Sequence, residues 1–332
     1  MESTVYAASD SSLRIQTADE SWRARLLAAL HGEQNGGQES NASQFLEEIS
    51  TPAMSTRSTP DVLVATWDGE HLVGAAWYLA QPGRVGIAGS LWLPAQNAPP
   101  TVEPGTQLLA VQQEKLVARG CQLIQSWLPQ STGEAAHRLR QAGLQHVADV
   151  DCLVSLPHHW PQSVPPFDSQ LHFVDCRSAH QERLKAVLSG TYTDTLDCPE
   201  INALRDIEDV LEGYHATGTP RTDGWWILQF DDQDIGCLLL ADFPGTGQIE
   251  LVYLGLIPNA RGKGWGRILV RYAQWFTFQA ARDQLVLAVD ATNQPARTLY
   301  SDTGFVAWKQ RSVFIKPMTP LLPAPENTPA GH

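Results

Sequence analysis

Hydrophobic residues recur along the chain with two periods, and these periods predict its secondary structure. Residues 62–74 and 226–236 each combine two short β-rich runs with a polar turn, which is typical of a β-hairpin. In the second half we predict strands at 171–177, 225–230, 235–241, 248–257, 284–290 and 306–315, and helices at 180–192, 202–217, 264–282 and 295–302. This alternation indicates an α/β fold with a mixed sheet.

The pattern of the first half of the chain recurs in the second half. Gly143 and Gly304 lie 161 residues apart, and each ends the same spacing of Ala, then Leu or Tyr, then Gly at every fourth position. Pro94 and Pro258 each end a predicted strand and lie 164 residues apart. We therefore predict that one fold is used twice in tandem.

A proline-rich segment marks the joint between the two copies. Four prolines within residues 157–166 exclude a regular helix or a central strand. His158 and His159 lie in this segment, and we interpret them as exposed linker histidines, because neighbours in sequence do not converge on a metal by themselves. The expected division is a first domain at 1–156, a linker at 157–168, a second domain at 169–316 and a disordered tail at 317–332.

Length, charge and cysteine content narrow the class of protein. A chain of 332 residues favours two domains, and its formal net charge of −13 argues against nucleic acid as a partner. Five scattered cysteines without a CxxC pair indicate neither a zinc site nor disulfides. Because the chain lacks a signal-like start and a long apolar run, we expect a cytoplasmic protein without a membrane partner.

A glycine-rich turn follows the most apolar predicted strand. The strand at 250–258 leads into Arg261-Gly262-Lys263-Gly264-Trp265-Gly266, and an amphipathic helix begins there. The first turn of a helix presents unpaired N–H groups and a positive dipole end, which suit a phosphate. Walker and Rossmann patterns do not fit this spacing. By pattern alone, the turn is either an anion site or merely a tight connection.

Two motifs together resemble those of one enzyme family. Arg261-x-x-Gly264-x-Gly266 is similar to the Q/R-x-x-G-x-G/A signature of the GNAT superfamily of N-acetyltransferases. A later block, with Asn293 before a helix and Tyr300 within it, resembles a second motif of that family. The resemblance covers about residues 170–316 and, more weakly, 12–156. A tandem arrangement with a degenerate first copy is also similar to that of mycothiol synthases.

The resemblance implies acetyl-CoA as co-substrate and no metal. It implies that the backbone of Leu254, Gly255 and Leu256 binds the pantetheine arm, with the Leu254 N–H facing the thioester carbonyl. The residues that it implies for cofactor binding are Leu254, Gly255, Leu256, Arg261, Gly262, Lys263, Gly264, Trp265, Gly266, Arg267 and Asn293.

Two residues are candidates for proton transfer. Glu250 lies eleven residues before Arg261, and strand alternation predicts that it shares a face with Val252, Leu254 and Leu256, which would raise its pKa and suit a general base. The alternative is a strand-end carboxylate in water.

Tyr300 matches the family tyrosine that acts as general acid, and the alternative for it is a core aromatic residue. The first copy has Leu139 at the corresponding position and no basic residue between Pro94 and Gly105. We therefore expect no acetyl transfer in the first copy.

The sequence thus predicts an N-acetyltransferase that transfers acetyl by direct attack of a primary amine on acetyl-CoA in the second copy. The amine is either a small molecule or a peptide, and neither its identity nor the oligomeric state follows from the sequence. A different class of protein, an acyl-CoA-binding sensor or scaffold without turnover, is the alternative.

Overall fold

The computed structural model describes residues 4–5, 13–35, 42–50, 59–67, 69–94, 103–176, 180–202, 204–219 and 223–318. The tail predicted to be disordered lies outside these residues except for its first two positions. Within the described ranges, no helix has the length and apolar character needed to cross a membrane.

The first half of the chain contains seven strands and four helices within the described residues. In chain order they are β1 (Thr4–Val5), β2 (Leu13–Thr17), α1 (Glu20–Asn35), α2 (Ala42–Ser50), β3 (Asp61–Trp67), β4 (His71–Gln81), β5 (Val85–Trp92), α3 (Pro104–Ala118), β6 (Leu123–Leu128), α4 (Gly133–Gln141) and β7 (Gln145–Ser155).

The second half repeats the order that starts at β2, with one additional short helix. Its elements are β8 (Leu171–Asp175), α5 (Gln181–Tyr192), α6 (Pro199–Asn202), α7 (Ile207–His215), β9 (Trp225–Phe230), β10 (Gln233–Phe243), β11 (Gln248–Leu256), α8 (Trp265–Gln279), β12 (Gln284–Asp290), α9 (Gln294–Asp302) and β13 (Val306–Pro317). The fold is mixed α/β, as predicted.

The helix predicted at 202–217 is shorter in the structure, where α7 covers Ile207–His215 and Asn202 belongs to a separate short helix, α6. α6 ends at Asn202, and Asp206 has the extended conformation of an N-cap (φ −68°, ψ 147°) before α7 begins. Between the helices, Leu204 packs with Ile201 against strands of the central sheet. Helical periodicity does not reveal this break. Leu204 packs there against strands that are distant in the sequence, and a local pattern does not report such contacts.

One continuous mixed sheet of thirteen strands runs through the described part of the chain. Its order is β1-β2-β3-β4-β5-β6-β13-β7-β12-β11-β10-β9-β8. β7, from the first half, lies between β13 and β12, and β13, from the second half, lies between β6 and β7. Each half therefore contributes its last strand to the sheet of the other half.

Two equivalent polar contacts join the exchanged strands to the helices they cover. Lys316 Nζ of β13 donates to Gln113 Oε1 of α3 at 2.6 Å. Gln274 Nε2 of α8 donates to Ser155 Oγ of β7 at 3.0 Å. Both pairs repeat with the 161-residue offset of the sequence. The sequence repeat therefore corresponds to matching three-dimensional contacts.

The proline-rich segment is attached to the second half. A 3₁₀ turn forms at Pro157–His159, and Trp160 is buried in the core that α8 covers. Its indole Nε1 donates to Ser155 Oγ at 2.9 Å. The exact domain boundaries stay a prediction, since the sheet is continuous across them.

We expect the two halves to unfold together. Phe314 lies on β13 but is fully buried in the core of the first half (0% exposed). Phe314→Ala should cost about 3–5 kcal/mol and lower a single thermal transition, followed by circular dichroism and tryptophan fluorescence. Trp308→Ala on the same strand removes a side chain that is 57% exposed and should change stability little. Two transitions of which only one shifts would contradict joint unfolding.

Candidate active site

Two parallel strands in the second half separate and leave a gap between them. β11 and β12 pair at only three positions, from Gln248 with Gln284 to Glu250 with Val286. Beyond Glu250, β11 continues along β10 and β12 continues along β7. The edge of β11 from Leu251 to Leu256 that faces the gap therefore has no strand partner, and apart from the Leu256 carbonyl, which accepts from Arg261 Nε, its backbone groups must bind water or a ligand.

The glycine-rich turn lies where β11 leads into α8. Gly262 and Gly264 have φ values of +76° and +85°, and a Cβ on either would meet no atom within 4 Å. These glycines are thus required by backbone conformation and not by lack of space.

Five consecutive N–H groups at this turn are free to bind an anion. Within the part of the chain that the structure describes, the N–H groups of residues 262–266 have no hydrogen-bond acceptor, whereas the Arg267 N–H donates to the Gly264 carbonyl. Residues 265 and 266 form the first turn of α8, where the helix dipole adds positive potential. The structure thus supports an anion site over a mere tight connection.

The three basic side chains of the turn have different partners. Arg261 donates four hydrogen bonds to backbone carbonyls. Arg267 Nη2 lies 2.9 Å from Asp302 Oδ2. Lys263 Nζ lies 5.1 Å from the centroid of the Trp265 ring and has no ion pair among the described residues. Lys263 is therefore the cation of the turn that is left for a ligand.

A β-bulge in β11 determines the face on which Glu250 lies. Two adjacent residues of β10 pair with Leu251 and Tyr253, so Val252 is an extra residue in β11. One extra residue reverses the alternation of side chains between the faces of a sheet. Even-numbered side chains before Val252 therefore lie on the opposite face of the sheet from even-numbered side chains after it.

The prediction that Glu250 shares a face with Val252, Leu254 and Leu256 is therefore wrong. Leu254 and Leu256 pack in the core beneath α8. Glu250 lies on the opposite face with Tyr253, which packs with residues of α5 and α7. The carboxylate thus faces the helices between β8 and β9.

Desolvation nevertheless alters the acidity of Glu250 as expected. Its carboxylate is partly buried and has no hydrogen-bond partner among the described residues. Loss of hydration by burial raises the pKa of Glu250 to about 7. A carboxylate with this pKa can accept a proton near neutral pH, which a fully hydrated strand-end carboxylate does poorly.

Tyr300 is buried in α9, with 6% of its surface exposed. Its ring centroid lies 5.4 Å from that of Phe305. Burial raises the pKa of the Tyr300 hydroxyl, and the nearby Asp197 carboxyl raises it further. The hydroxyl therefore keeps its proton at neutral pH and makes no hydrogen bond within the described residues.

Asn293 and a residue that sequence reasoning missed, Asp197, meet at the C-terminal end of β12. Asn293 Oδ1 accepts the N–H of Ala296 at 3.3 Å and caps α9, and the Asn293 side chain also hydrogen-bonds to Asp197. Asp197 Oδ1 accepts the N–H of Asp290 at 3.0 Å, and burial raises the pKa of Asp197. Asp197 lies in a loop without a motif, so no local signal indicates its position.

Hydroxyl groups cluster on the face that carries Glu250. Tyr253 Oη lies 2.7 Å from Thr191 Oγ1, and Tyr192 Oη lies 3.1 Å from Tyr214 Oη. A Cβ at Gly255 would lie 2.8 Å from Thr191 Cβ. Gly255 is therefore needed for the close approach of α5 to β11.

The first half has an equivalent gap but different chemistry. β5 and β6 stop pairing after Ile87, which holds the place of Glu250. Leu139 lies in α4 as Tyr300 lies in α9. The N-cap of α3, Glu103, accepts the N–H of Thr106 at 2.8 Å and pairs with Arg138 at 3.0 Å, so a carboxylate of the chain itself holds the start of this helix. The preceding loop, 95–102, lies outside the described residues.

A cavity of about 500 Å³ borders this gap of the first half. Elsewhere, the five cysteines are unpaired, and no cluster suited to hold a metal occurs among the described residues.

Comparisons with known proteins agree with this geometry. Residues 189–305 match the profile of the Acetyltransferase (GNAT) family. A GCN5-related N-acetyltransferase from Sphaerobacter thermophilus has a similar fold, with 15% identity and a TM-score of 0.57, over 93% of this chain and 96% of that one. A tandem GNAT protein from the clavulanic acid biosynthesis pathway gives 12% identity and a TM-score of 0.50, over 93% and 99%.

A glucosamine N-acetyltransferase region of a fungal multi-domain β-N-acetylglucosaminidase gives 12% identity and a TM-score of 0.55, over 93% of this chain and 38% of that one. No curated protein matches the chain. At these identities the structural likeness concerns the fold.

The family match over residues 189–305 supports an acyltransferase, while the solved structures show likeness of fold alone. The second half of the chain contains a domain of the GNAT acetyltransferase family. The likeness to mycothiol synthases stays a prediction.

The raised pKa of Glu250 predicts a pH-dependent cost in stability. The folded state holds this proton up to about pH 7, and the unfolded state releases it near pH 4.3, so stability falls as pH rises through this window. Glu250→Gln should therefore be more stable than the parent protein at pH 8.5, by up to about 4 kcal/mol, and little different at pH 4. Thermal unfolding at both pH values measures this, and an equal difference at both would contradict it.

Proposed function

We propose that the second half of this protein transfers an acetyl group from acetyl-CoA to the nitrogen of a primary amine. One observation carries the proposal: five free N–H groups at the start of α8 follow the open end of the gap, and Glu250 lies at its closed end. Acetyl-CoA is an extended molecule that could place its pyrophosphate at these N–H groups and its thioester near Glu250.

The turn and the edge of β11 supply the binding groups. The N–H groups of residues 262–266 and the ammonium of Lys263 would hold the pyrophosphate. Arg267 would add positive potential, and Trp265 would support the turn, whereas the Arg261 guanidinium is already engaged by four backbone carbonyls. The backbone of Leu254, Gly255 and Leu256 along this edge would hydrogen-bond the amides of the pantetheine arm, except for the Leu256 carbonyl, which already accepts from Arg261 Nε. Asn293 would border the arm on the side of β12.

Glu250 acts as the general base in this proposal. Its carboxylate removes a proton from the ammonium of the acceptor, directly or through a water molecule, and releases that proton to solvent afterwards. The neutral nitrogen then attacks the thioester carbonyl carbon, and the carbon–sulfur bond breaks as the amide bond forms. The Leu254 N–H stabilises the negative charge that develops on the carbonyl oxygen.

Tyr300 acts as the general acid. Its hydroxyl donates a proton to the departing sulfur, so the thiol and not the thiolate leaves the site, and the second proton that the nitrogen loses as the amide forms restores the Tyr300 hydroxyl. Acetyl-CoA supplies the activated acyl group, and no acylated residue of the protein is needed. Because the raised pKa of Tyr300 keeps the hydroxyl protonated, the donor is ready at neutral pH.

The proposal is tested by release of CoA from acetyl-CoA in the presence of a collection of primary amines. The collection includes glucosamine, because the fungal region of similar fold is a glucosamine N-acetyltransferase. We expect amine-dependent release and an acetylated product identified by mass spectrometry. A protein that only binds acyl-CoA, as a sensor or scaffold does, would bind without release, and that outcome would overturn the proposal.

Tyr300→Phe tests the general acid. With the best amine from that collection, we expect kcat to fall at least about tenfold while the Kd for acetyl-CoA stays unchanged, because only proton donation is lost. Tyr272→Phe is a matched control, since the Tyr272 ring stacks on Phe173 in the same half of the protein (centroids 3.9 Å apart). An unchanged kcat in Tyr300→Phe would remove this residue from the mechanism.

The pH dependence of the rate tests the general base. Because Glu250 must be ionised to accept a proton, kcat should rise about tenfold per pH unit below pH 7 and level off above it. Glu250→Gln should lower kcat and abolish this break. A break that persists in Glu250→Gln would assign it to another group.

A further inference from the structure

We propose that Arg261 is a positioning residue that fastens the segment Thr191–Cys198 across the gap between β11 and β12, while Lys263 is the cation of the turn that binds phosphate. The inference rests on the proposed function, because it concerns how the acetyl-CoA site and the acceptor side are joined. In this inference Arg261, the basic residue of the Arg261-x-x-Gly264-x-Gly266 signature, positions the segment that borders the acceptor amine and does not bind the phosphate.

Nearly all the hydrogen-bonding capacity of Arg261 is used within the protein. Nε donates to the Leu256 carbonyl at 3.0 Å and Nη1 donates to the Asp194 carbonyl at 2.9 Å. Nη2 donates to the carbonyls of Thr191 and Thr193 at 3.0 and 2.7 Å. A guanidinium has five N–H donors, so one N–H remains for any other partner.

Three of the carbonyls that accept from Arg261 lie at or just after the C-terminal end of α5, where a positive charge is favourable. The last carbonyls of a helix lack intrahelical partners and carry the negative end of the dipole. α5 has no basic residue in its own last turn. Arg261, from the turn before α8, supplies both the donors and the positive charge.

A second fastening holds the other end of the segment to β12. The N–H of Cys198 donates to Asp290 Oδ2 at 3.1 Å, and the N–H of Asp290 donates to Asp197 Oδ1 at 3.0 Å. The Asp290 carboxylate thus accepts from the backbone of the loop, and the Asp197 carboxylate accepts from the backbone of β12. Thr191–Cys198 is therefore tied to the turn after β11 at one end and to the end of β12 at the other.

The backbone is strained at both fastenings. Asp194 and Cys198 have φ values of +51° and +44°, which are costly for residues with a side chain. Such conformations persist where surrounding contacts enforce them. Asp194 offers its carbonyl to Arg261, and Cys198 offers its N–H to Asp290, so the enforcing contacts are the two fastenings.

The fastened segment borders the face on which Glu250 lies. Thr191 Oγ1 lies 2.7 Å from Tyr253 Oη on that face. A change at the phosphate-binding turn that moves Arg261 would therefore move the wall of the acceptor side. Binding of CoA at the turn should in turn restrict the motion of Thr191–Cys198.

The test compares Arg261→Lys with Lys263→Ala in the full chain. Arg261→Lys keeps the positive charge but cannot span four carbonyls, whereas Lys263→Ala removes the unpaired cation beside Trp265. CoA affinity is measured by calorimetry. Amide hydrogen exchange over residues 193–198 is measured with and without saturating CoA.

For Arg261→Lys we expect a Kd for CoA within about twofold of the parent value and exchange over 193–198 at least about tenfold faster. CoA should slow this exchange in the parent protein but not in Arg261→Lys, which separates coupling from simple loosening. For Lys263→Ala we expect about three- to tenfold weaker CoA binding and unchanged exchange without CoA.

Weaker CoA binding by Arg261→Lys with unchanged exchange over 193–198 would overturn the inference, since Arg261 would then act on the phosphate. So would equal protection by CoA in Arg261→Lys and the parent protein. If the parent protein does not bind CoA, the proposed function fails, while the exchange measured without CoA still decides whether Arg261 fastens the segment.

Discussion

Backbone hydrogen bonding at the gap between β11 and β12 is the constraint on which the site depends. Buried N–H and C=O groups must find partners, and these strands leave theirs unpaired beyond Glu250. The bulge at Val252, the open turn before α8 and the segment that crosses the gap all accompany this separation. They place hydrogen-bonding backbone, a proton acceptor and a proton donor around one opening.

Much of the second half could be predicted from local pattern. The strands at 225–230 and 284–290 have the predicted bounds, because each buries apolar residues within a sheet of ordinary length. The turn itself could also be predicted, because a backbone with positive φ values strongly favours glycine. Asn293 at the start of α9 follows the same logic, because an N-cap requires a short polar side chain.

The remaining features arise from pairing between distant segments. Strand periodicity placed Glu250 on the wrong face, because a bulge is defined by two strands together and leaves no mark in one strand's own sequence. The partners of Arg261 are carbonyls, which every residue has, so no residue type identifies them. Asp197 reaches β12 only because the chain folds back over the gap, and the exchange of β7 and β13 depends on sheet pairing across the whole molecule.

The exchange of last strands has a consequence for synthesis of the protein on the ribosome. Among the described residues, β7 pairs with β12 and β13 alone, so neither strand partner of β7 has been made when the first half leaves the ribosome. Its sheet closes only after residues 306–317 have emerged, and the nascent chain meanwhile carries exposed strand edges of the kind that favour aggregation. Such long-range pairing also slows folding. The arrangement that joins the two halves thus leaves the sheet of the first half incomplete until the last strand of the second half has been made.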